Sequence, residues 1–311
     1  MLSIKKDVVN ELHAPARRKF PTRRVIIKGL EDLYQIDLIE MIPYAKENDG
    51  YTYIFVCINC FSKYAWAIPL KNKKATTVSE AMENILSRNS KKIPRNIQSY
   101  QGKEFYNNFG NVMKKYGINH YNSTYSIQKS SIAERFNRTL KNMLWKDFSY
   151  NGNYRWISIL PNILHRYNNT VHRTTSYKPS KVYARNAKII LRTVYSKVKI
   201  MDPKKPKLQV GDHVRISKFR QIFSKTYTPN WSNEIFTVSK IQNTYPRTYA
   251  IQDAQGKTIL GGFYELELKK VRYPDVYLVE KVLRRRKDKV LVKWLGMDTS
   301  HNSWISKDNV L

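Results

Sequence analysis

The sequence predicts an α/β domain followed by two small all-β modules, and three observations carry that prediction. Between about residues 32 and 170 apolar residues recur with period two and then with helical period, in the order strand, strand, strand, helix, strand, helix, strand, helix, with one further helix behind them. The composition shifts after about residue 185, and 208–271 reads as short strands broken by turn residues. A second break at Tyr273-Pro-Asp opens a last strand-rich stretch.

Each element has its own signal. Residues 1–28 lack a pattern and carry Ala16-Arg17-Arg18-Lys19 and Thr22-Arg23-Arg24, which reads as a basic arm. A strand follows at about 32–41, then a hairpin of 51–60 and 63–70 turning at Phe61-Ser62. Ala75, Val78, Ala81, Met82, Ile85 and Leu86 share one face of a helix over 75–90. A fourth strand runs from Ile93 to Tyr100. A helix over 104–117 stops at Gly117, a natural C′ residue, and a short strand spans Ile118 to Tyr121. After a polar loop, 123–130, a helix runs from near Ser131 to about Tyr150 and another over 153–170. Ser131 and Glu134 match a capping box, a four-residue pattern that also arises by chance. This order is that of a ribonuclease-H-like α/β fold. The expected organisation is a basic arm at 1–28, a core at 29–185, a basic linker at 186–207, a small all-β barrel at 208–271 and a final β module at 275–311.

The chain of 311 residues carries 56 Lys+Arg against 24 Asp+Glu, a net charge of +32. Such an excess repels itself unless it meets a polyanion, so DNA or RNA is the expected partner. An anionic membrane is the weaker alternative, since there is neither a long apolar run nor a basic amphipathic anchor. Cys57 and Cys60 have the C-x-x-C spacing of a zinc or redox site. They lie in an apolar strand with no second Cys/His pair, however, and a structural zinc needs four ligands, so buried thiols and no zinc are expected. His13 reads as a loop histidine. Two cysteines and no secretory signal point to a reducing, intracellular setting.

Two acids stand out. Asp37 sits mid-strand, with Gln35 on its face and Ile36 and Leu38 on the other. An isolated acid there is costly unless paired, metal-bound or at an exposed edge. Glu134 falls in the first turn of its helix, where it serves either as a dipole partner or as a ligand. Arg138 and Lys141 share its face, and Lys129 and Arg135 flank it. Carboxylates beside cations suit metal-assisted phosphoryl chemistry on a phosphate backbone. An ordinary surface Glu–Arg pair is the alternative.

Tyr34-Gln-Ile-Asp-Leu, Gln101-Gly-Lys-Glu-Phe-Tyr-Asn and Ala133-Glu-Arg-Phe-Asn-Arg-Thr-Leu-Lys, in that order, resemble the three carboxylate-bearing segments of retroviral-type integrases. They also resemble those of large self-synthesising transposons of the Maverick or Polinton type. Tyr167-Asn-Asn-Thr-Val-His-Arg-Thr-Thr and Lys178-Pro-Ser extend the likeness, which covers roughly 30–185. The resemblance implies a nuclear enzyme of DNA strand transfer that works as a homo-oligomer on transposon ends and target DNA. It also implies Asp37 and Glu134 as catalytic ligands of Mg²⁺ or Mn²⁺. The chain departs from the family at one place: Tyr100 stands where the second aspartate belongs. A phenol is neutral near pH 7 and a poor ligand for a hard ion. Impaired catalysis, or a non-catalytic DNA- and chromatin-binding relic, is therefore expected. Glu104, four residues on, is the one nearby acid that could substitute.

The 208–271 segment resembles the SH3-like barrel behind many integrase cores, with Arg215, Lys218 and Arg220 as expected phosphate contacts. A solvated basic surface is the alternative. The last 35 residues or so resemble a chromodomain. Tyr277 and Trp294 fall at two positions of its methyl-lysine cage, Met297 takes the third, and a histone tail is the implied partner. Trp304 reads as a core residue.

Overall fold

The computed structural model describes residues 2–88, 92–100, 102–122, 130–198, 204–219 and 227–309. Residues 2–13, expected to be a patternless arm, form a helix, α1 (Leu2–His13). Ile4, Val8 and Leu12 repeat every four residues, and Val8 and Leu12 are buried. The basic clusters downstream masked this apolar stripe. Met1–Arg23 and Lys199–Leu311 form one compact unit, and Arg24–Val198 form the other.

The Arg24–Val198 unit is built on a five-stranded sheet. β1 (Leu33–Glu40), β2 (Tyr53–Asn59) and β3 (Ala65–Leu70) form an antiparallel meander. α2 (Ala75–Arg88) then crosses to β4 (Asn96–Ser99), and α3 (Asn108–Lys115) to β5 (Asn119–Asn122). β4 and β5 run parallel to β1, giving the order β3-β2-β1-β4-β5. The helix expected over 104–117 is broken into a single 3₁₀ turn, Lys103–Phe105, and the shorter α3.

Side chains alternate across this sheet. Tyr34, Ile36, Phe55 and Cys57 bury one face under α2 and α3. Ile39, Ile54, Val56 and Ile58 bury the other under α4 (Ser131–Asn151) and α5 (Leu160–Asn169). α4 turns Ala133, Phe136, Leu140, Leu144 and Phe148 inward, a stripe of helical period. The Tyr167–Thr175 motif is architectural. Asn168 brackets Ala65 with two hydrogen bonds, to its N–H and its carbonyl, at 3.0 and 2.9 Å. Both cysteines are free and buried, and burial pushes the Cys60 thiol up to about 12.

Residues expected to begin a linker at 186 instead fold onto this unit as α6 (Ala184–Ile190) and a wider turn to Tyr195. Ile190 and Tyr195 are buried, and the Tyr195 hydroxyl donates to the carbonyls of Cys60 and Phe61. Apolar side chains spaced along a lysine-rich stretch were outweighed there by charge.

The second unit holds two sheets. β6 (His213–Ile216), β7 (Phe236–Gln242), β8 (Thr248–Gln252), β9 (Thr258–Tyr264) and β10 (Leu268–Lys270) form an antiparallel sheet in the order β10-β6-β7-β8-β9. β11 (Val279–Arg286), β12 (Lys289–Trp294) and β13 (Ser303–Ser306) form a three-stranded antiparallel sheet. Asn230 and Trp231 donate their backbone N–H groups to the Leu12 carbonyl, which fills acceptors left open at the end of α1. No helix among the described residues is long and apolar enough to cross a membrane.

Candidate active site

The site begins with two glutamines. Gln35 is fully buried on β1, and its amide nitrogen donates to Gln98 Oε1 on β4 at 2.8 Å. Its oxygen accepts from the backbone N–H groups of Ile132 and Ala133, at 2.9 and 3.0 Å. Gln35 thus caps α4 from the neighbouring strand. The Ser131–Glu134 capping box does not form. Ser130 occupies the N-cap in a left-handed conformation (φ 91°) without a side-chain bond. The helix begins at the expected residue for a different physical reason, and sequence reasoning placed Gln35 without seeing its role.

This cap brings Glu134, in the first turn of α4, beside Asp37, two residues beyond Gln35 on the same strand face. Asn137 Nδ2 donates to Asp37 Oδ2 at 2.8 Å, and Asp37 Oδ1 accepts from the Leu38 N–H at 2.9 Å. The Asn137 Oδ1 beside them is buried and has no hydrogen-bond partner among the described residues. Asn137, one helical turn after Glu134, is the site residue that sequence reasoning missed. Its spacing of three from Glu134 was the available signal.

Burial raises the Asp37 carboxyl to about 6, the negative charges of Glu134 and Glu104 add to the rise, and the two hydrogen bonds oppose it. The folded state therefore holds this proton more tightly than the unfolded chain. The resulting stability is full below about pH 4 and lost as pH rises through about 6. At about 1.4 kcal/mol per pH unit, discounted for partial exposure, Asp37→Asn should add about 1–2 kcal/mol at pH 8 and almost nothing at pH 3.5. Urea unfolding at the two pH values checks this, and equal stability of the two proteins at pH 8 would refute it.

The third carboxylate position lies just past the end of β4. The parallel ladder runs as far as Gln35 opposite Gln98, and Tyr100 follows two residues on, as Asp37 follows Gln35. Tyr100 is 49 % exposed. Glu104 approaches from the turn behind it. Its carboxylate folds back over Gly102, so close that a Cβ there would lie 2.3 Å from Oε1. A side chain at position 102 would push that flexible carboxylate aside. Among the described residues no three His, Cys, Asp or Glu converge as a metal site. The donor set, two carboxylates and the orphaned amide oxygen of Asn137, is all hard oxygen and suits one hard divalent ion. It does not supply the bridging acids that a two-ion site needs.

Glu134, Arg135, Arg138 and Lys141 are all exposed, and helical spacing puts Glu134, Arg138 and Lys141 on one face of α4. Lys129 and Arg220 lie outside the described residues. Lys218 is exposed. Arg215 corrects the expectation of a phosphate contact, because it is 1 % exposed. Its Nε donates to Glu11 Oε1 at 2.7 Å, and its NH1 donates to the carbonyls of Ser232 and Asn233. Strand alternation turned it inward, and α1 supplied its counter-charge.

Tyr277 and Trp294 do meet, with ring centroids 5.8 Å apart at 60°. Met297 lines the same pocket, but so do Val8 and Leu12 of α1 and Arg215, and about 10 Å³ remains. That is room for about one water. Trp304 is not a core residue. It is 37 % exposed on the open face of its sheet.

Residues 31–125 match the integrase core domain family. The chain is 36% identical over 200 residues to a transposon-derived protein of Caenorhabditis elegans, a match covering 63% of this chain and 65% of that protein. It is 33% identical over 140 residues to the Gag-Pol polyprotein of feline leukemia virus, covering 44% of this chain and 8% of the polyprotein. The chain thus spans less than two thirds of the length of either relative. A chain of the simian T-cell lymphotropic virus intasome in complex with PP2A regulatory subunit B56 gamma superposes with a TM-score of 0.55 at 16% identity, over 85% of this chain and 90% of that one. The sheet order and these likenesses agree: residues 31–125 are similar to the integrase core domain, and the chain is similar to transposon-derived and retroviral Pol proteins.

Proposed function

We propose that this is a transposon-derived integrase, of the Maverick or Polinton type by its motifs, that binds DNA and whose metal-dependent strand transfer is impaired. The observation that carries the reading is the Asp37–Asn137–Glu134 cluster, with Tyr100 following the end of β4. The charges of Asp37 and Glu134 act on each other, and a tyrosine stands where the resemblance implies a third acid. A bound Mg²⁺ or Mn²⁺ would activate the attacking oxygen and stabilise the leaving one. Asp37 and Glu134 would hold that ion, Asn137 would orient Asp37, and Arg135, Arg138 and Lys141 would place the phosphate backbone alongside. The net charge of +32 supports DNA as the partner and so the nucleus as the place of action. Assembly as a homo-oligomer on DNA is part of the proposal. The all-β sheet of β6–β10 is read as an SH3-like module and that of β11–β13 as a chromodomain-like one. A methylated histone tail is not retained as partner, because Val8, Leu12 and Met297 line the same pocket as Tyr277 and Trp294 and leave about 10 Å³.

A second reading, a non-catalytic DNA-binding relic, is favoured by Tyr100 itself. One experiment separates the two. Mn²⁺ should raise the melting temperature of the chain and leave that of Glu134→Gln unmoved, since an ion that binds only the native state stabilises it. Duplex DNA should bind both with steep salt dependence. DNA binding with no Mn²⁺ response in either protein would establish the relic.

A further inference from the structure

The sheet of β11–β13 has an inner and an outer face. Val290, Val292 and Trp294 alternate inward, with Val290 and Val292 buried. Cross-strand partners share a face. The outer face therefore carries Lys281 opposite Lys293, Arg284 opposite Leu291, Leu291 opposite Trp304, and Arg286 and Ser306 on either side of Lys289. A bulge between Val282 and Arg284 puts Arg284, rather than Leu283, on this face.

Two like-charged pairs thus stand directly opposite each other, an arrangement that destabilises an isolated sheet. Lys293 is relieved by Glu280 at 2.7 Å. Among the described residues no ion pair reaches Lys281, Arg284, Arg286 or Lys289, and all four are exposed. In their midst Trp304 stays part-exposed, with the Arg286 guanidinium 4.9 Å from its ring centroid. Exposed cations alone would suit any polyanion. A sheet face with a guanidinium over a part-exposed indole suits unpaired bases, which stack on such groups while the strand's phosphates meet the surrounding cations.

We propose that the outer face of β11–β13 binds single-stranded nucleic acid, with Trp304 and Arg286 as the stacking surface and Lys281, Arg284 and Lys289 as phosphate contacts. The site is separate from the carboxylate cluster and requires neither metal nor strand transfer.

The test uses the full chain and a 20-nucleotide oligothymidylate carrying 5-iododeoxyuridine. Photocrosslinking followed by peptide mapping should place an adduct on the peptide that contains Trp304. Trp304→Leu, which keeps apolar contact with Leu291, should weaken oligothymidylate binding at least about fivefold and leave 20-base-pair duplex binding unchanged. Arg284→Gln with Lys289→Gln should flatten the salt dependence of oligothymidylate binding by about 1.4 in log–log slope. Adducts confined to other segments, or Trp304→Leu binding oligothymidylate as the unaltered chain does, would overturn the proposal. So would displacement of oligothymidylate by poly-glutamate at equal charge, which would show a general cation surface. Loss of duplex binding alone would bear on the proposed DNA function and not on this site.

Discussion

Tyr100→Asp is expected to raise strand transfer in Mn²⁺ by at least about 100-fold over the unaltered chain, since completing a metal site is worth several kcal/mol of transition-state stabilisation. The register gives the reason: Gln35 stands opposite Gln98, so position 100 leaves the end of the adjacent parallel strand two residues on, as Asp37 lies two residues beyond Gln35, and a carboxylate there would join Asp37 and Glu134. A tyrosine ring there offers no carboxylate oxygens to a hard ion. The same substitution should lower stability in the absence of divalent ions, because a third carboxylate would join a cluster whose Asp37 is already pushed up to about 6. Adding Mn²⁺ should more than restore that loss. Tyr100→Asp combined with Glu134→Gln should return to background, which shows that the gain runs through the carboxylate cluster. Activity already present in the unaltered chain and abolished by Glu104→Gln would overturn this account. It would identify Glu104, whose charge reaches Asp37 and whose carboxylate folds over Gly102, as the substitute ligand.

Glu11→Ala is expected to destabilise the unit formed by Met1–Arg23 and Lys199–Leu311 by about 3–5 kcal/mol, the usual cost of stranding one member of a buried ion pair. Arg215 has 2% side-chain exposure and Glu11 10%. Glu11 also accepts from the Arg272 N–H, an exposed donor that water can satisfy once Glu11 is gone, so the expected loss comes from the ion pair. The double variant Glu11→Ala with Arg215→Met should recover most of the loss, since no charge is then left buried without a partner. Denaturant unfolding of the four proteins of this cycle provides the check. A single-variant loss below about 1 kcal/mol would show that the guanidinium finds water or another partner.

Much of the core was legible in the sequence because its elements repeat locally. α2, β1 to β3 and α4 follow from apolar spacing, and the observed bounds differ from the expected ones by a few residues at most. The helix expected over 104–117 was not, since Asn107 with φ 50° breaks it where no proline or glycine marks the break. α1 and α6 were hidden by the same cause: a dense field of Lys and Arg made short apolar stripes look like arms and linkers. Their partners, Trp231 and Cys60, lie too far along the chain for any local window to pair them.

The site divides along the same line. Asp37, Glu134 and Tyr100 were readable as candidates, because residue type and order survive in a linear motif. Which groups hold them was not. Gln35 caps α4 through two backbone N–H groups about a hundred residues away, and Asn137 ties that helix to Asp37. Arg215 and Trp304 exchanged their expected roles, the cation going inside and the aromatic outside. The sequence by itself determined the chemistry on offer: the acids, the vacancy among them and the charge that calls for a polyanion. The tertiary structure alone decided which side chains meet, because burial, register and bulges depend on contacts between segments far apart in the chain, and no spacing rule records them.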